Sequence, residues 1–339
     1  MSLAAARRLL ASAGGRGRVE LSLGAVPGVA VLSLCNPAAR NALSPAMMLS
    51  LADAVDELER WGGGRGLVLT GAATAPGGPP AFCAGADLGS AEALFSPEFG
   101  AAMCDVMTDA TRRLAALPLV SVAGIEGPAV GGGVELAMAC DYRIMSPSAS
   151  LHAVQLQRGV TPGWGGLHRL VELAGRKNAL FLLGSGARLH AEQAAAFQLA
   201  DAIVATPADG GGGEGRDGDG MAAADLGSPP LHSADWGGSS AAASAHHGLD
   251  SGAPPAPPRA TMVQHAVAFL APFLDRSVDA AALRALRRVL RPGASTAELQ
   301  AGERAAFLEL WGSPRQLELL APFRRKSAAA AGATAAAHT

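Results

Sequence analysis

A layered α/β fold is predicted by three observations. Short strand-like apolar segments alternate with stretches of helical period along the chain. Cap signals and proline stops separate the two kinds of segment. The chain has 339 residues, 49% of them hydrophobic, enough for one sizeable core with a helical appendage.

The first 17 residues carry Arg7, Arg8 and Arg16, and no acid precedes Glu20. They read either as a weak organellar transit peptide or as a frayed, flexible extension. Val19–Leu23 and Val29–Leu34 flank a Pro27-Gly28 turn and predict a β-hairpin. Ser44-Pro45 opens a helix, with Ser as N-cap and Pro in the first turn. Met48, Leu51, Val55 and Leu58 share one face of it. Gly66–Thr70 is a short buried strand. Phe99–Leu117 is a helix stopped by Pro118, and a strand from Leu119 or Val120 follows. Tyr142–Met145 is the next strand. Ala191–Ala194 opens a helix expected to end near Asp201, and Ala202–Val204 is again apolar.

Residues 205–259 depart from this pattern. They are mostly Gly, Ala, Ser, Pro and Asp, which cannot offset their own ordering entropy, and they read as a low-complexity disordered insertion. His232, His246 and His247 fall in it and read as part of a solvated loop rather than a metal site. A helical region follows over 260–326, with a capping box at Ser295 and Glu298 and apolar anchors at Leu299, Phe307, Leu310 and Trp311. The tail 327–339 is Ala-rich and reads as disordered.

Charge and cysteine content narrow the classes. Lys+Arg 27 against Asp+Glu 29 gives no case for nucleic acid. Seven acids and two bases lie in 205–259, so the remainder is mildly basic, which suits an anionic ligand. Cys35, Cys83, Cys104 and Cys140 form no CxxC pair, and three of them sit in apolar patterns; buried free thiols in a reducing compartment are expected. No apolar run reaches membrane-spanning length.

Chemistry concentrates in Val120–Met145, VSVAGIEGPAVGGGVELAMACDYRIM. A strand leads to Gly131–Gly133, and a short helix then carries Glu135 in its first turn. Such a helix start presents unpaired N–H groups and partial positive charge. Only glycine lets a ligand come so close to the backbone. The pattern suits negative charge held on an oxygen, or a Gly-rich turn in which Glu135 merely complements the helix dipole.

Two further segments, Asn36–Leu43 (NPAARNAL) and Ala81–Leu88 (AFCAGADL), precede it in order. Together the three motifs resemble the crotonase (enoyl-CoA hydratase/isomerase) superfamily over Arg18–Val204, and the C-terminal helices extend the likeness over about Thr261–Lys326. The resemblance implies a crotonase-like spiral of ββα repeats over 18–204 and a C-terminal helical trimerisation region. It implies an acyl-CoA thioester as substrate, with CoA the substrate's own moiety and no metal or separate cofactor. A homotrimer or hexamer is expected, with no nucleic-acid or membrane partner. The expected location is the cytosol, or a mitochondrion or plastid if the N-terminal segment is a targeting signal.

In the resembled family, backbone N–H groups at the positions of Ala86 and Gly132 hold a thioester enolate. Arg40, Ala42, Ala84, Asp87 and Leu88 match the CoA path. Arg40 would meet a phosphate there, or is an ordinary surface charge. Glu135 matches the first catalytic glutamate of the hydratases. The second hydratase carboxylate falls at Gln155, which has no useful basicity, so two-carboxylate hydration loses support. A neutral amide spares a substrate's own carboxylate from repulsion and can donate a hydrogen bond.

Longer stretches, NALSPAMMLSLADAVDELERW, VTPGWGGLHRLVELAGRKNAL and GERAAFLELWGSPRQLE, resemble the ethylmalonyl-CoA decarboxylase branch. That likeness implies decarboxylation of ethylmalonyl-CoA or methylmalonyl-CoA, clearing a side product of fatty-acid metabolism. Glu135 is the first candidate for placing the carboxylate or managing the proton, followed by Gln155 and His152, and Trp164 is either a pocket wall or an ordinary core aromatic. The alternatives are an enoyl-CoA hydratase or isomerase and a non-catalytic acyl-CoA-binding homologue.

Overall fold

The computed structural model describes residues 1–73, 79–87, 96–206, 261–275 and 279–290, and part of 292–318. Leu88, Trp311, the three histidines of the low-complexity segment and nearly all of that segment lie outside the described residues.

The hairpin forms as its turn signal requires: β1 (Arg18–Val26) pairs antiparallel with β2 (Val29–Cys35) across Pro27-Gly28. Helix α1 (Leu3–Ala13) precedes it and corrects the expectation of a flexible extension over 1–17. Ser2 caps this helix, Ala6 and Leu10 are fully buried, and Arg7 pairs with Asp53. The signal lay in the spacing of those two apolar residues on one helix face, one turn apart.

The chain then runs through α2 (Pro45–Arg60), β3 (Gly66–Gly71), α3 (Pro97–Ala115), β4 (Val120–Ile125), β5 (Pro128–Val130), α4 (Gly132–Ala137), β6 (Tyr142–Met145) and β7 (Ser150–His152). After α5 (Gly166–Ser185), β8 (Arg188–His190), α6 (Ala191–Ala196) and β9 (Ala202–Ile203) complete the core. Ser44 caps α2 as expected, accepting from the Met47 N–H at 3.3 Å. α6 stops at Ala196, short of Asp201, because Gln198 turns into the left-handed region at φ 61°.

Six strands form one sheet in the order β1-β2-β3-β4-β6-β9, and β5-β7-β8 form a second. Every neighbour after β1-β2 in the larger sheet is parallel. The chain crosses from the large sheet to the small one directly at β4 to β5 and at β6 to β7; α4 returns it from β5 to β6, α5 links β7 to β8 within the small sheet, and α6 leads from β8 back to β9. This is the spiral of strand pairs and helices expected for 18–204. α1, α2 and α3 cover one face of the large sheet. On the other, Met262, Ala266 and Leu270 of α7 (Met262–Leu274) bury Val29, Val68, Val120, Val122 and Ile144. Arg287 of α8 (Ala280–Val289) donates to the Leu119 and Ala115 carbonyls and pairs with Asp141 at 2.9 Å, which anchors that helix to the core. Cys35, Cys83 and Cys140 are buried and Cys104 is exposed, all as free thiols. Among the described residues no helix is long and apolar enough to cross a membrane, and no His/Cys/Asp/Glu group could hold a metal ion.

Candidate active site

Three predicted segments meet at one end of the strands. Leu43 is bridged to Ala86 in parallel fashion: its N–H donates to the Gly85 carbonyl at 2.8 Å, and its carbonyl accepts from the Asp87 N–H at 2.9 Å. Both polar groups of Leu43 thus go to the neighbours of Ala86, and the Ala86 N–H faces away from Leu43. The 130–132 backbone passes alongside. A Cβ on Gly85, whose φ is +89°, would lie 2.8 Å from the Val130 carbonyl oxygen and 3.2 Å from the Gly132 nitrogen. Gly132 opens α4, so its N–H has no acceptor within the helix. Neither the Ala86 nor the Gly132 N–H has a hydrogen-bond partner among the described residues. Gly133 is required because a Cβ there would lie 2.2 Å from the Cys83 carbonyl oxygen.

Asn41 holds this corner together. It sits in the left-handed region at φ 58° and is fully buried. Its Oδ1 accepts from the Asn36 N–H at 3.0 Å, and its Nδ2 donates to the carbonyls of Ala72 at 2.9 Å and Ala81 at 2.8 Å. Asn36 Nδ2 in turn donates to the Ala42 carbonyl at 2.8 Å. Arg40, at φ 50°, is exposed, and its carbonyl accepts from the Ala84 N–H at 3.0 Å. Ala42 is buried, while Ala84 and Asp87 are half-buried. The CoA-path candidates other than Leu88 therefore occupy one backbone-paired patch. The two asparagines were missed at the sequence level: the left-handed pair that buries Asn41 has no signature beyond its residue type.

Glu135 is buried, with 5% of its surface exposed. Its Oε2 accepts from the N–H groups of Trp164 at 2.8 Å and Gly166 at 3.0 Å. Its Oε1 accepts from Gln155 Nε2 at 3.1 Å and the Gly163 N–H at 3.4 Å. A carboxylate has about four acceptor positions, so the protein uses them all. Gln155 gives one donor hydrogen to this carboxylate, and its Oε1 is buried without a partner. The two residues border a cavity of about 10 Å³, walled mainly by Val134, Met138, Leu167, Leu170 and Leu183, with room for roughly one water or methyl-sized group.

The turn that grips Glu135 is held from its other side by α3 and α5. Thr108 Oγ1 donates to the Gly163 carbonyl at 3.1 Å, and Thr111 Oγ1 to the Trp164 carbonyl at 2.6 Å. Arg169 Nη1 donates to the Gly165 carbonyl at 2.8 Å and to Thr111 Oγ1 at 3.3 Å. Trp164 is buried against Gly132: a Cβ on Gly132 would lie 2.3 Å from the indole Cζ3. Burial pushes the Arg169 guanidinium below its usual range, opposed by the charges of Glu172 and Glu135. Of the sequence candidates, Glu135, Gln155 and Trp164 are therefore brought into one cluster beside Gly132 and Ala86. His152 reaches it through its backbone, whose carbonyl accepts from the Gly131 N–H at 2.9 Å. It lies on β7 opposite Val130, and burial and then the Arg188 charge hold its imidazole below the ordinary value. Thr108, Thr111 and Arg169 escaped the sequence reading because nothing in helix periodicity marks a polar residue whose partner is a distant carbonyl.

Glycine-lined backbone donors at a strand-to-helix junction, inside a spiral of strand pairs, define a crotonase-type α/β protein. The chain belongs to the enoyl-CoA hydratase/isomerase family, whose model matches residues 25–209. It is similar to the ethylmalonyl-CoA decarboxylase of Danio rerio, at 34% identity over 317 residues, covering 93% of this chain and 85% of that protein. It is 41% identical over 183 residues to the ethylmalonyl-CoA decarboxylase of Xenopus tropicalis, where the match spans 54% of this chain and 59% of that protein. The crystal structure of enoyl-CoA hydratase from Bacillus anthracis superposes with a TM-score of 0.67 at 24% identity, covering 91% of this chain and 96% of that one, which shows the shared fold.

Proposed function

We propose that this protein decarboxylates a short malonyl-type acyl-CoA, ethylmalonyl-CoA or methylmalonyl-CoA. The observation that carries the reading is the state of the two positions where a hydratase needs free carboxylates. Position 155 is an amide, and the Glu135 carboxylate is occupied by four donors of the protein itself. Neither is free to activate a water. The names of the Danio and Xenopus relatives support the same reaction.

Decarboxylation needs less acid–base machinery. The bond between the α-carbon and the carboxylate carbon breaks, its electron pair passes into the thioester as an enolate, and CO₂ leaves. The Ala86 and Gly132 N–H groups are the donors for the enolate oxygen; one such donor contributes about 2.7–4 kcal/mol in comparable sites. A proton then replaces CO₂ at the α-carbon. The amide at Gln155 leaves the substrate carboxylate without a second buried anion to oppose it. The CoA moiety lies along the patch of Arg40, Ala42, Ala84 and Asp87, and the reaction calls on no further cofactor.

Self-association as a trimer or hexamer belongs to the same reading. Leu156, Val160, Leu167, Val171, Leu180 and Phe181 are exposed apolar residues on α5 and the turn before it, which supports a contact surface there. Light scattering of the purified protein tests it, and a monomer overturns it.

The activity is tested by incubating the purified protein separately with ethylmalonyl-CoA and crotonyl-CoA and following products by mass. Butyryl-CoA from the first without hydration of the second is expected. Hydration of crotonyl-CoA without CO₂ release overturns the reading.

A further inference from the structure

Arg169 is 3% exposed, and among the described residues no carboxylate lies in ion-pair contact with it. Its Nε has no hydrogen-bond partner. A buried guanidinium with no counter-ion in contact is costly and calls for an explanation. Glu172 is close enough to act on it but stands in solvent, where screening weakens it. The buried anion within electrostatic reach is Glu135. The two charges share a peptide group: Arg169 donates to the Gly165 carbonyl, and the N–H of that same unit, at Gly166, donates to Glu135. Each charge strengthens the hydrogen bond the other end of the peptide makes, because the peptide dipole points from one to the other.

The adjoining unit repeats the arrangement. Thr108 donates to the Gly163 carbonyl, and the N–H of Trp164 donates to Glu135. Thr111 holds the Trp164 carbonyl between them and itself accepts from Arg169. The turn is thereby clamped on its carbonyl side by Thr108, Thr111 and Arg169 and on its N–H side by Glu135. Its one large side chain, Trp164, rests on Gly132.

We propose that Arg169 is a positioning residue: acting with Glu135 through the Gly165–Gly166 peptide, it holds Trp164 against Gly132 and so keeps the Gly132 N–H aimed into the site. The catalytic part of this inference rests on the decarboxylase reading. The coupling between the two charges does not.

The test is a double-mutant cycle of Arg169→Met and Glu135→Gln, read by melting temperature and by acrylamide quenching of Trp164, taken as the difference from Trp164→Phe. Each single variant leaves one buried charge uncompensated. The double variant is expected to melt above at least one single variant, and Arg169→Met is expected to expose Trp164 to quencher. Under the decarboxylase reading, Arg169→Met lowers kcat about 10- to 100-fold, as misplacement of a reacting group does, with KM changed less than about threefold. Arg169→Lys restores part of that loss. Strictly additive losses in the cycle, or a Trp164 as shielded in Arg169→Met as in the parent, overturn the proposal. If Arg169→Met does not fold, Thr111→Val removes the donor to the Trp164 carbonyl more gently. It must then expose Trp164 for the proposal to stand. A parent protein with no decarboxylase activity defeats the functional reading alone, since the cycle and the quenching are decided without it.

Discussion

Glu135 and Arg169 meet the two ends of one peptide group: the Gly165 carbonyl accepts from Arg169 Nη1 at 2.8 Å, and the Gly166 N–H donates to Glu135 Oε2 at 3.0 Å. The arrangement requires glycine at 166, because a Cβ there would lie 2.4 Å from Glu135 Cγ and 2.8 Å from its Cα. Gly166→Ala is therefore expected to lower stability by about 1–3 kcal/mol, as overpacking does. Thermal unfolding of the purified variant checks this, and an unchanged midpoint refutes it.

Gln155→Glu brings a second carboxylate to where Gln155 Nε2 now lies, 3.1 Å from Glu135 Oε1. Two carboxylates so close cannot both stay ionised, so the pair shares a proton. One of them then becomes a general acid or base. Hydration of crotonyl-CoA is expected to appear or rise, and decarboxylation to fall at least about tenfold, since a nearby anion opposes the substrate's own carboxylate. Paired assays of the two reactions on one preparation decide it.

Asn41 carries two separable burdens, a left-handed φ of 58° and three hydrogen bonds to three segments. Asn41→Gly keeps the first and loses the second. Asn41→Ala loses both. Each buried donor or acceptor left unpaired costs about 1–3 kcal/mol, and the strained φ adds about 1 kcal/mol. Chemical denaturation should therefore rank the parent above Asn41→Gly, and Asn41→Gly above Asn41→Ala. Equal stability of the two variants would remove backbone strain from the account.

His152 is held below its ordinary value of 6.5, first by burial and then by the Arg188 charge. His168 is lowered too, by burial and then by Arg169. As pH falls below about 6.5, the unfolded chain binds protons that the folded protein resists, so stability present above that pH is lost on acidification. Both side chains are partly exposed, and solvent screening keeps the effect modest. Melting temperature measured from pH 8 down to 5.5 is expected to fall less steeply in His152→Gln than in the parent.

Much of this fold was legible before any coordinates. The Pro27-Gly28 hairpin, the Ser44-Pro45 helix start, the Gly66–Thr70 strand and the helix stop before Pro118 all follow from local rules, and each appears where those rules place it. Gly131–Gly133 and Glu135 were legible as a candidate site because glycine and acid at a helix start have a chemical meaning by themselves. The same local rules failed at residues 3–13, where a charged, Ala-rich segment passed for a loose end. Its order comes from the packing of Leu10 and Ala6 against the core helices.

What sequence alone determined was therefore the order of the elements, the family and the identity of the residues at 135 and 155, on which the proposed choice of reaction rests. What only tertiary structure decided was how those positions are used. Whether Glu135 is a free base or an anion gripped by four donors depends on where residues 163–166 come to rest. That in turn depends on Thr108, Thr111 and Arg169, which reach carbonyl groups on other segments. The physical reason is that a backbone carbonyl or N–H is the same at every position along the chain. A sequence names the side chain that can bond to one, but only the folded chain says which one stands within reach.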